Sequence, residues 1–220
     1  MNSDILIIGA GLVGAAQAVA LAQAGLRVAL VEAAPRSERL KDSYDGRTSA
    51  IAFASQKILE SIGVWQRLDD TCAITDIRVC EDGGTCFVHY DSTQVEGGEP
   101  FGHIVENRLL RHALSDAVDE CEGITQYEGV TLEHLAQDAA QATATLSDST
   151  ILCAPLLFAC DGKYSATRER LHIGIDEYRY NQTAMVMTIE HDAPHHGLAV
   201  EAFFAPGPFA LLPMTKNRTN

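Results

Sequence analysis

The sequence predicts an α/β fold in which an N-terminal β-α-β unit is followed by a second, β-rich region. Residues 4–8 and 27–31 each carry a short apolar run, and residues 15–24, between them, are rich in alanine and leucine. Apolar runs of this length are typical of parallel strands buried on both faces. Gly25, directly after the alanine-rich segment, stands where a helix is expected to end.

A G-x-G-x-x-G motif, formed by Gly9, Gly11 and Gly14, joins the first predicted strand to the helix. Gly9 allows the tight turn, Gly11 lets a diphosphate approach the backbone, and Gly14 permits close packing of helix on strand. The N–H groups at the start of the helix, which include those of Leu12 and Val13, are expected to bind this anion with help from the helix dipole.

Glu32 follows the second strand, about 20 residues beyond the glycines, where an acidic residue binds ribose hydroxyls. Its carboxylate would repel a 2′-phosphate, which disfavours NADP. These features together predict an FAD/NAD(P)-binding Rossmann-like domain. The alternative interpretation is a glycine-rich turn beside a surface glutamate. FAD and NAD share the adenosine diphosphate portion, so the β-α-β unit does not choose between them.

Charge and cysteine content exclude several classes of protein. The 220 residues carry a formal net charge of −14, which argues against nucleic-acid binding and against broad attraction to anionic lipid. None of the six cysteines forms a C-x-x-C pair, so no metal site is predicted. Reduced thiols indicate a cytoplasmic protein. The apolar N-terminus lacks the basic region of a signal peptide.

The remaining elements follow from periodicity and turn residues. Helices are predicted at 48–62 and 105–118, and residues 35–45 are predicted to form a loop. Predicted strands are 77–80 and 86–90, joined by a hairpin turn at 81–84, then 126–129, 143–146, 150–153 and 156–160, and finally 184–190, 200–204 and 210–212, with a turn at 206–208. Strands 126–129, 143–146 and 150–153 are expected to form a small β-layer over the Rossmann sheet.

Five segments in order resemble a known family. They are I-I-G-A-G-L-V-G-A-A at 7–16, D-G-R-T-S-A at 45–50, V-E-N-R-L-L-R at 105–111, A-C-D-G-K-Y-S-A-T-R at 159–168 and F-F-A-P-G-P-F-A-L-L-P at 203–213. The first four resemble group A flavoprotein monooxygenases, and the third and fifth resemble the ubiquinone-biosynthesis hydroxylase subgroup. In the fourth segment, Thr167 occupies a position at which the family commonly has an apolar residue.

The resemblance implies a cofactor role for matching residues. Arg47 is expected to reach the FAD pyrophosphate, the alternative being an ion pair with Asp42 or Asp45. Asp161 and Gly162 are expected in the crevice at the end of a strand, although Asp161 alternatively caps the following helix.

Two further positions follow from the same resemblance. Asn107 aligns with a flavin-contacting position. Val130 either packs against the adenine or is a plain core valine. Ser165 and Arg168 are expected to brace the turn rather than to contact a ligand.

The resemblance also implies a domain division. Residues 1–72 and 99–178 would form the FAD-binding domain, and residues 73–98 and 179–220 a truncated β-sheet substrate domain. The family's second FAD motif, Gly-Asp before an apolar helix, has no counterpart after Asp161. The chain is therefore expected to cover roughly the N-terminal half of such an enzyme, to bind flavin weakly or not at all, and to be inactive alone.

The implied activity is FAD-dependent hydroxylation of an aromatic substrate by O₂, with NADH or NADPH as transient electron donor. In the subgroup the substrate is a polyprenylated phenol delivered from the membrane, which is compatible with peripheral membrane contact and with a biosynthetic complex. The cofactor carries the oxygen chemistry, so no catalytic side chain is assigned.

Three alternatives remain open at this point. An NAD-dependent dehydrogenase explains the glycine motif and Glu32 but leaves Arg47 and Asp161-Gly162 unexplained. A non-catalytic flavin-fold scaffold subunit would bind FAD without hydroxylating a phenol. A flavin oxidase or dehydrogenase of the same fold would leave no oxygen atom on the product.

Overall fold

A computed structural model describes residues 3–81 and 87–220 of the chain. Two compact units are present: Met1–Asp42 with Arg111–Asn181, and Ser43–Leu110 with Gln182–Asn220. Within the described residues, no helix combines the length and apolar character needed to cross a membrane.

Strands and helices are numbered here in chain order. The strands are β1 Ile5–Ile8, β2 Val28–Glu32, β3 Thr48–Ala52, β4 Thr71–Ile74, β5 Asp76–Glu81, β6 Phe87–Asp91, β7 Gly102–Glu106, β8 Ile124–Glu128, β9 Leu132–Gln137, β10 Ala142–Leu146, β11 Ile151–Ala154, β12 Leu156–Ala159, β13 Ile189–Glu190, β14 Leu198–Phe204, β15 Gly207–Leu211, β16 Pro213–Met214 and β17 Arg218–Thr219. The α-helices are α1 Leu12–Gln23, α2 Arg36–Arg39, α3 Phe53–Ser61, α4 Asn107–Asp119 and α5 Ala166–Arg170, and short 3₁₀ turns occupy Trp65–Arg67 and Ser92–Gln94.

The first unit is built on a parallel sheet of order β12-β1-β2-β8. Ile5 pairs with Leu156 on one side and with Val28 on the other. Every residue of β1 is buried, as expected for a central parallel strand with both faces covered. The α/β fold with a Rossmann-like β-α-β unit is thereby confirmed.

Helix α1 joins β1 to β2 and packs through small side chains. Gly14, Ala15, Ala18 and Val19 are its buried residues, so the helix lies close to the sheet. Gly25 has a positive φ of 88° and donates its N–H to the carbonyl of Ala22 at 2.9 Å. Gly25 thus has a left-handed backbone conformation and ends the helix at the position that the sequence predicts.

An antiparallel layer of order β11-β10-β9 belongs to the same unit. Its inward residues Leu132, Leu146 and Leu152 share a core cluster with Leu6 and Val31 of the parallel sheet. The prediction that residues 126–129 belong to this layer was wrong, because β8 instead pairs with β2 in the parallel sheet. Strand β9, which the sequence analysis did not predict, takes its place.

The second unit contains three sheets, with the orders β3-β7-β4, β15-β14-β5-β6 and β13-β17-β16. Strands β14 and β5 pair in parallel, with Leu198 opposite Asp76. A core cluster of Ile74, Ile104, Ala199 and Met214 lies within this unit.

Two predicted helices begin later than expected. Residues 48–52 form β3, which pairs antiparallel with β7, so helix α3 begins only at Phe53. Val105 and Glu106 likewise belong to β7, and helix α4 begins at Asn107. Small and apolar residues of this kind fit a helix or a strand, and the long-range pairing decides in favour of the strand.

Several smaller predictions also need correction. The region 184–190 is a strand only at Ile189–Glu190, the segment 35–45 contains α2, and Gly207 and Pro208 begin β15 instead of forming the turn. The predicted hairpin turn at 81–84 falls largely outside the described residues, as does Cys86, but the pairing of β5 with β6 is present.

The two compact units divide the chain at positions other than the predicted domain boundaries. Residues 43–72 and 99–110, assigned by the sequence to the FAD-binding domain, group with the second unit. The pairing of β3 and β4 with β7 accounts for this grouping. The division into FAD-binding and substrate-binding domains describes function rather than contacts, and it stays a prediction.

The pairing of β3 with β7 can be tested at Gly102. A Cβ atom at this position would lie 2.4 Å from the backbone oxygen of Ile51, so Gly102→Ala must push the two strands apart. We expect a loss of about 1–3 kcal/mol in the free energy of unfolding, the usual effect of overpacking. Gly174→Ala is the matched control, because nothing lies within 4 Å of its Cβ position. Equal urea midpoints for the two variants would contradict the pairing.

Candidate functional site

A cavity of about 640 Å³ lies in the first unit, at the carboxyl ends of β1, β2 and β12. Open α/β sheets bind ligands at this edge. Of the residues predicted to bind the cofactor, six line the cavity: Gly9, Gly11, Glu32, Val130, Asp161 and Gly162. Residues separated by more than 150 positions in the sequence are thus brought to one site.

The three glycines of the motif have different physical reasons to be glycine. Gly9 has φ +100°, and its Cβ would lie 2.4 Å from the carbonyl oxygen of Cys160. A Cβ on Gly14 would lie 1.8 Å from the carbonyl oxygen of Gly9. At Gly11, by contrast, nothing lies within 4 Å of the Cβ position. Gly9 and Gly14 are therefore required by packing, whereas Gly11 leaves bare backbone beside the cavity.

The start of α1 is a suitable place for an anion. The helix has no side-chain cap at Gly11, and Ala15 donates the first intrahelical hydrogen bond, to the Gly11 carbonyl at 2.9 Å. The N–H groups of Leu12 and Val13 precede that bond and carry the positive end of the helix dipole. Val13 is 70% exposed, and its contact with a diphosphate stays a prediction.

Glu32 is held in place by the backbone on both sides. Its Oε2 accepts a hydrogen bond from the N–H of Ala10 at 2.7 Å, and its Oε1 accepts one from Ala34 at 2.9 Å. An ionised carboxylate has about four acceptor positions, so two remain for ligand hydroxyls. The Glu32 carboxylate thus binds the glycine turn, and Glu32 lines the cavity; its contact with a ribose stays a prediction.

The carboxylate of Asp161 is engaged at the start of α5. Its Oδ1 accepts from the hydroxyl of Ser165 at 2.5 Å, and its Oδ2 accepts from the N–H and the hydroxyl of Thr167, each at 2.9 Å. Burial opposes its ionisation, but these hydrogen bonds lower the pKa of the Asp161 carboxyl below its ordinary value. Asp161 therefore binds a backbone N–H at the start of the following helix, as the capping alternative expects. Asp161 and Gly162 also line the cavity.

Ser165 and Arg168 support the same turn, as the sequence analysis expected. Ser165 is the N-cap of α5 and accepts a hydrogen bond from the N–H of Arg168 at 3.0 Å. The Arg168 guanidinium donates to the carbonyl of Lys163 at 3.0 Å. Thr167, the departure from the family pattern, is fully buried, and its hydroxyl binds Asp161.

Four residues with polar side chains that line the cavity were not singled out from the sequence: Thr131, Glu133, Tyr164 and Arg170. Arg170 donates from Nε to the carbonyl of Glu133 at 3.0 Å, which links α5 to β9. Tyr164 is 83% exposed at the edge of the cavity. The D-G-K-Y segment could have drawn attention to Tyr164. Glu133 lies on β9, a strand that the sequence analysis did not predict.

The predicted contacts Arg47 and Asn107 belong to the second unit and lie next to each other. Asn107 donates its backbone N–H to the carbonyl of Arg47 at 2.9 Å, and its Oδ1 accepts from the Ser49 hydroxyl at 2.6 Å. The Arg47 N–H donates to Asp45 Oδ1 at 3.0 Å. Contact of either residue with FAD stays a prediction.

The Glu106 carboxylate, beside Asn107, has a structural role. It is 3% exposed and forms ion pairs with Arg108 at 2.7 Å and Arg218 at 3.2 Å. A buried carboxylate requires such partners, because an unpaired buried charge is strongly unfavourable. Part of the V-E-N-R resemblance is therefore explained by an ion-pair network within the second unit.

The described residues contain no group of three or more His, Cys, Asp or Glu side chains that could hold a metal ion. The five described cysteines are unpaired and half-buried. Cys160 lines the cavity, and burial raises the pKa of its thiol, so its neutral form is favoured.

Comparison with protein families gives a match over nearly the whole chain. A family model described as an FAD binding domain matches residues 2–220.

The chain is also similar to curated relatives. Ubiquinone hydroxylase UbiL of Rhodospirillum rubrum is 42% identical over 219 residues, which is 99% of this chain and 51% of the relative. Ubiquinone hydroxylase UbiM of Neisseria meningitidis is 29% identical over 225 residues, 100% of this chain and 49% of the relative. The chain spans about half the length of the curated relatives it matches.

Solved structures share the fold. PqsL, a probable FAD-dependent monooxygenase from Pseudomonas aeruginosa, superposes with a TM-score of 0.80 at 19% identity, covering 100% of this chain and 59% of the other. The p-nitrophenol 4-monooxygenase PnpA from Pseudomonas putida gives a TM-score of 0.77 at 15% identity, covering 98% and 56%. At these identities the likeness establishes the fold alone.

The contrast between Gly11 and Gly14 gives a test of the cavity. Gly11→Ala should leave the free energy of unfolding within about 0.5 kcal/mol of wild type, because its Cβ enters open space. The same Cβ should weaken binding of ADP, the half of FAD that the β-α-β unit would hold, by about tenfold or more, measured by NMR titration.

Gly14→Ala serves as the matched comparison, since it should destabilise the fold through its clash with Gly9. ADP binding that is unaffected by Gly11→Ala would show that the diphosphate does not approach this turn.

Proposed function

Because the chain belongs to the FAD binding domain family, we propose that it is the cofactor-binding portion of an FAD-dependent monooxygenase that hydroxylates an aromatic ring. The proposed substrate is a polyprenylated phenol of ubiquinone biosynthesis. One observation carries the proposal: the glycine turn, the start of α1 and Glu32 converge on a single cavity at the carboxyl edge of the sheet.

The residues present fit the adenosine diphosphate portion of FAD. The turn at Gly11 lacks the Cβ that would fill the approach, and the N–H groups of Leu12 and Val13 would bind the diphosphate. Glu32 retains acceptor positions for the ribose hydroxyls. The half-buried Val130 lies on the cavity wall and offers an apolar surface for the adenine.

The family match favours FAD over NAD, the choice that the β-α-β unit alone leaves open. Arg47 and Asn107 are proposed as further contacts of the cofactor, the first to its diphosphate and the second to its flavin. A fixed guanidinium suits phosphate oxygens, and the backbone hydrogen bond between the two residues fixes their spacing. The hydrogen bond between Arg47 and Asp45 uses the Arg47 backbone N–H, so contact of the guanidinium with phosphate would not break it.

Bound FAD would supply the activation of O₂ and the transfer of one oxygen atom, with NADH or NADPH proposed as the electron donor. The side chains of this chain would bind and orient the cofactor, and they would exclude water from it. No side chain is assigned a proton-transfer or nucleophilic role.

The ubiquinone hydroxylases among the relatives support the proposed substrate class, since UbiL and UbiM carry that function in their names. A polyprenylated phenol is hydrophobic and would reach the protein at a membrane surface. We therefore propose a cytoplasmic protein with peripheral membrane contact. The net charge of −14 means that such contact would rely on apolar surface or on a partner protein of a biosynthetic complex.

The activity can be tested with purified protein that carries this chain, supplied with FAD, NADH or NADPH, a prenylated phenol and isotope-labelled O₂. The expected product is heavier by one labelled oxygen atom, detected by mass spectrometry. Glu32→Ala should reduce product formation about tenfold or more, since two or more hydrogen bonds to the ribose would be lost.

Glu38→Ala is a suitable control, because Glu38 is not among the residues that line the cavity. Oxidation of NADH or NADPH with FAD bound, but without labelled product for any prenylphenol, would argue for an oxidase. FAD binding with neither reaction would argue for a scaffold subunit.

A further inference from the structure

The cavity of the first unit is lined by more negative than positive side chains. Glu32, Glu133 and Asp161 bring three carboxylates, whereas Arg170 is the only Lys or Arg among the described residues that line it. Carboxylates in a shared cavity repel an anionic ligand, because like charges at short range raise its free energy. The cavity therefore favours an anion only where a positive group compensates.

The start of α1 compensates only in part. A helix N-terminus acts as about half an elementary positive charge, which is less than any one of the three carboxylates carries. A diphosphate in this cavity therefore gains from a full positive charge nearby. Within the described lining, Arg170 is the residue that supplies one.

The Arg170 guanidinium is held in place by two backbone carbonyl groups. Nε donates to the carbonyl oxygen of Glu133 on β9 at 3.0 Å, and Nη1 donates to that of Ala166 on α5 at 3.1 Å. A side chain that is already anchored loses less conformational entropy when it binds a ligand than a freely rotating side chain does. The two carbonyl groups thus prepare Arg170 for binding.

The charge of Arg170 and some of its donors stay available to a ligand. A guanidinium has several N–H donors, and the two hydrogen bonds use two of them. Glu133 contributes its backbone carbonyl rather than its carboxylate, so this contact is not an ion pair. Among the described residues, Nη2 has no hydrogen-bond partner, and Arg170 is exposed.

We propose that Arg170 binds a phosphate of the nucleotide in this cavity through the side of the guanidinium that carries Nη2. The choice of a nucleotide as the ligand rests on the proposed function, whereas the charge of the cavity and the free side of the guanidinium do not. Guanidinium groups bind phosphate oxygens through parallel hydrogen bonds. Arg170 thereby gives the first unit a cationic side chain for the diphosphate.

The test measures the affinity of the full chain for adenosine, AMP and ADP by calorimetry or NMR titration. These probes share the base and the ribose and differ in their phosphate groups. Arg170→Gln should weaken ADP binding about tenfold and leave adenosine binding within about twofold of wild type, since one charge-assisted contact to phosphate is lost. The difference should shrink at high salt, because salt screens exposed charges.

Two further variants separate charge from structure. Arg170→Lys keeps the charge but loses the planar group, so its ADP affinity should lie between those of the wild type and Arg170→Gln. Arg27→Gln is the matched control, because it removes the same charge from an exposed arginine that pairs with Asp4 and does not line the cavity. It should leave the affinity for all three probes unchanged.

Equal ADP affinity of the wild type and Arg170→Gln at low salt would overturn the inference. Equal losses for adenosine and ADP would also overturn it, because a purely structural role, or stacking on the base, weakens both alike. Absence of ADP binding to the wild type would overturn both this inference and the proposed cofactor site.

Other results separate the inference from the proposed function. If Gly11→Ala weakens ADP binding but Arg170→Gln does not, only the role of Arg170 falls. If ADP binding depends on Arg170 while no oxygen atom is ever transferred to a prenylphenol, the proposed activity falls and the role of Arg170 stands.

Discussion

The short hydrogen bond between the Glu32 carboxylate and the N–H of Ala10 is the interaction on which the candidate cofactor site depends. It ties the end of β2 to the glycine turn that follows β1, and it places a negative charge beside the bare start of α1. Gly9 and Gly14 make this approach possible, because a Cβ on either would meet backbone atoms. The start of α1 and the Glu32 carboxylate, which are proposed to bind the diphosphate and the ribose, are thus linked through the same turn. The proposed binding of the adenosine diphosphate portion of FAD depends on that arrangement.

The sequence was sufficient where local chemistry determines the structure. The glycine spacing, the two apolar runs and the acidic residue at Glu32 each correspond to a backbone requirement, and all appear as expected in the first unit. Gly25 ends α1 for the same kind of reason. The resemblance found in the sequence agrees with the family match over residues 2–220. Such features need no knowledge of distant residues, so they can be predicted from a short window.

The sequence was insufficient where distant pairing decides the outcome. Residues 48–52 have no strong preference, and their strand exists because Gly102 lets β7 lie against them. Strand β8 belongs to the parallel sheet rather than to the antiparallel layer of β9, β10 and β11, because it pairs with β2, about 100 residues away. The dual role of Asp161, on the cavity wall and at the start of α5, also depends on the folded position of Thr167. Strands β13 and β17 are each two residues long, too short to be recognised by periodicity.

The central claim concerns the first unit, whose backbone N–H groups and carboxylate are proposed to bind a nucleotide. Its most direct test is a crystal structure of the chain grown with FAD. The account predicts the diphosphate on the N–H groups of Gly11, Leu12 and Val13, with the adenosine ribose hydroxyls on Glu32. FAD bound elsewhere, or a ribose without contact to the Glu32 carboxylate, would contradict it.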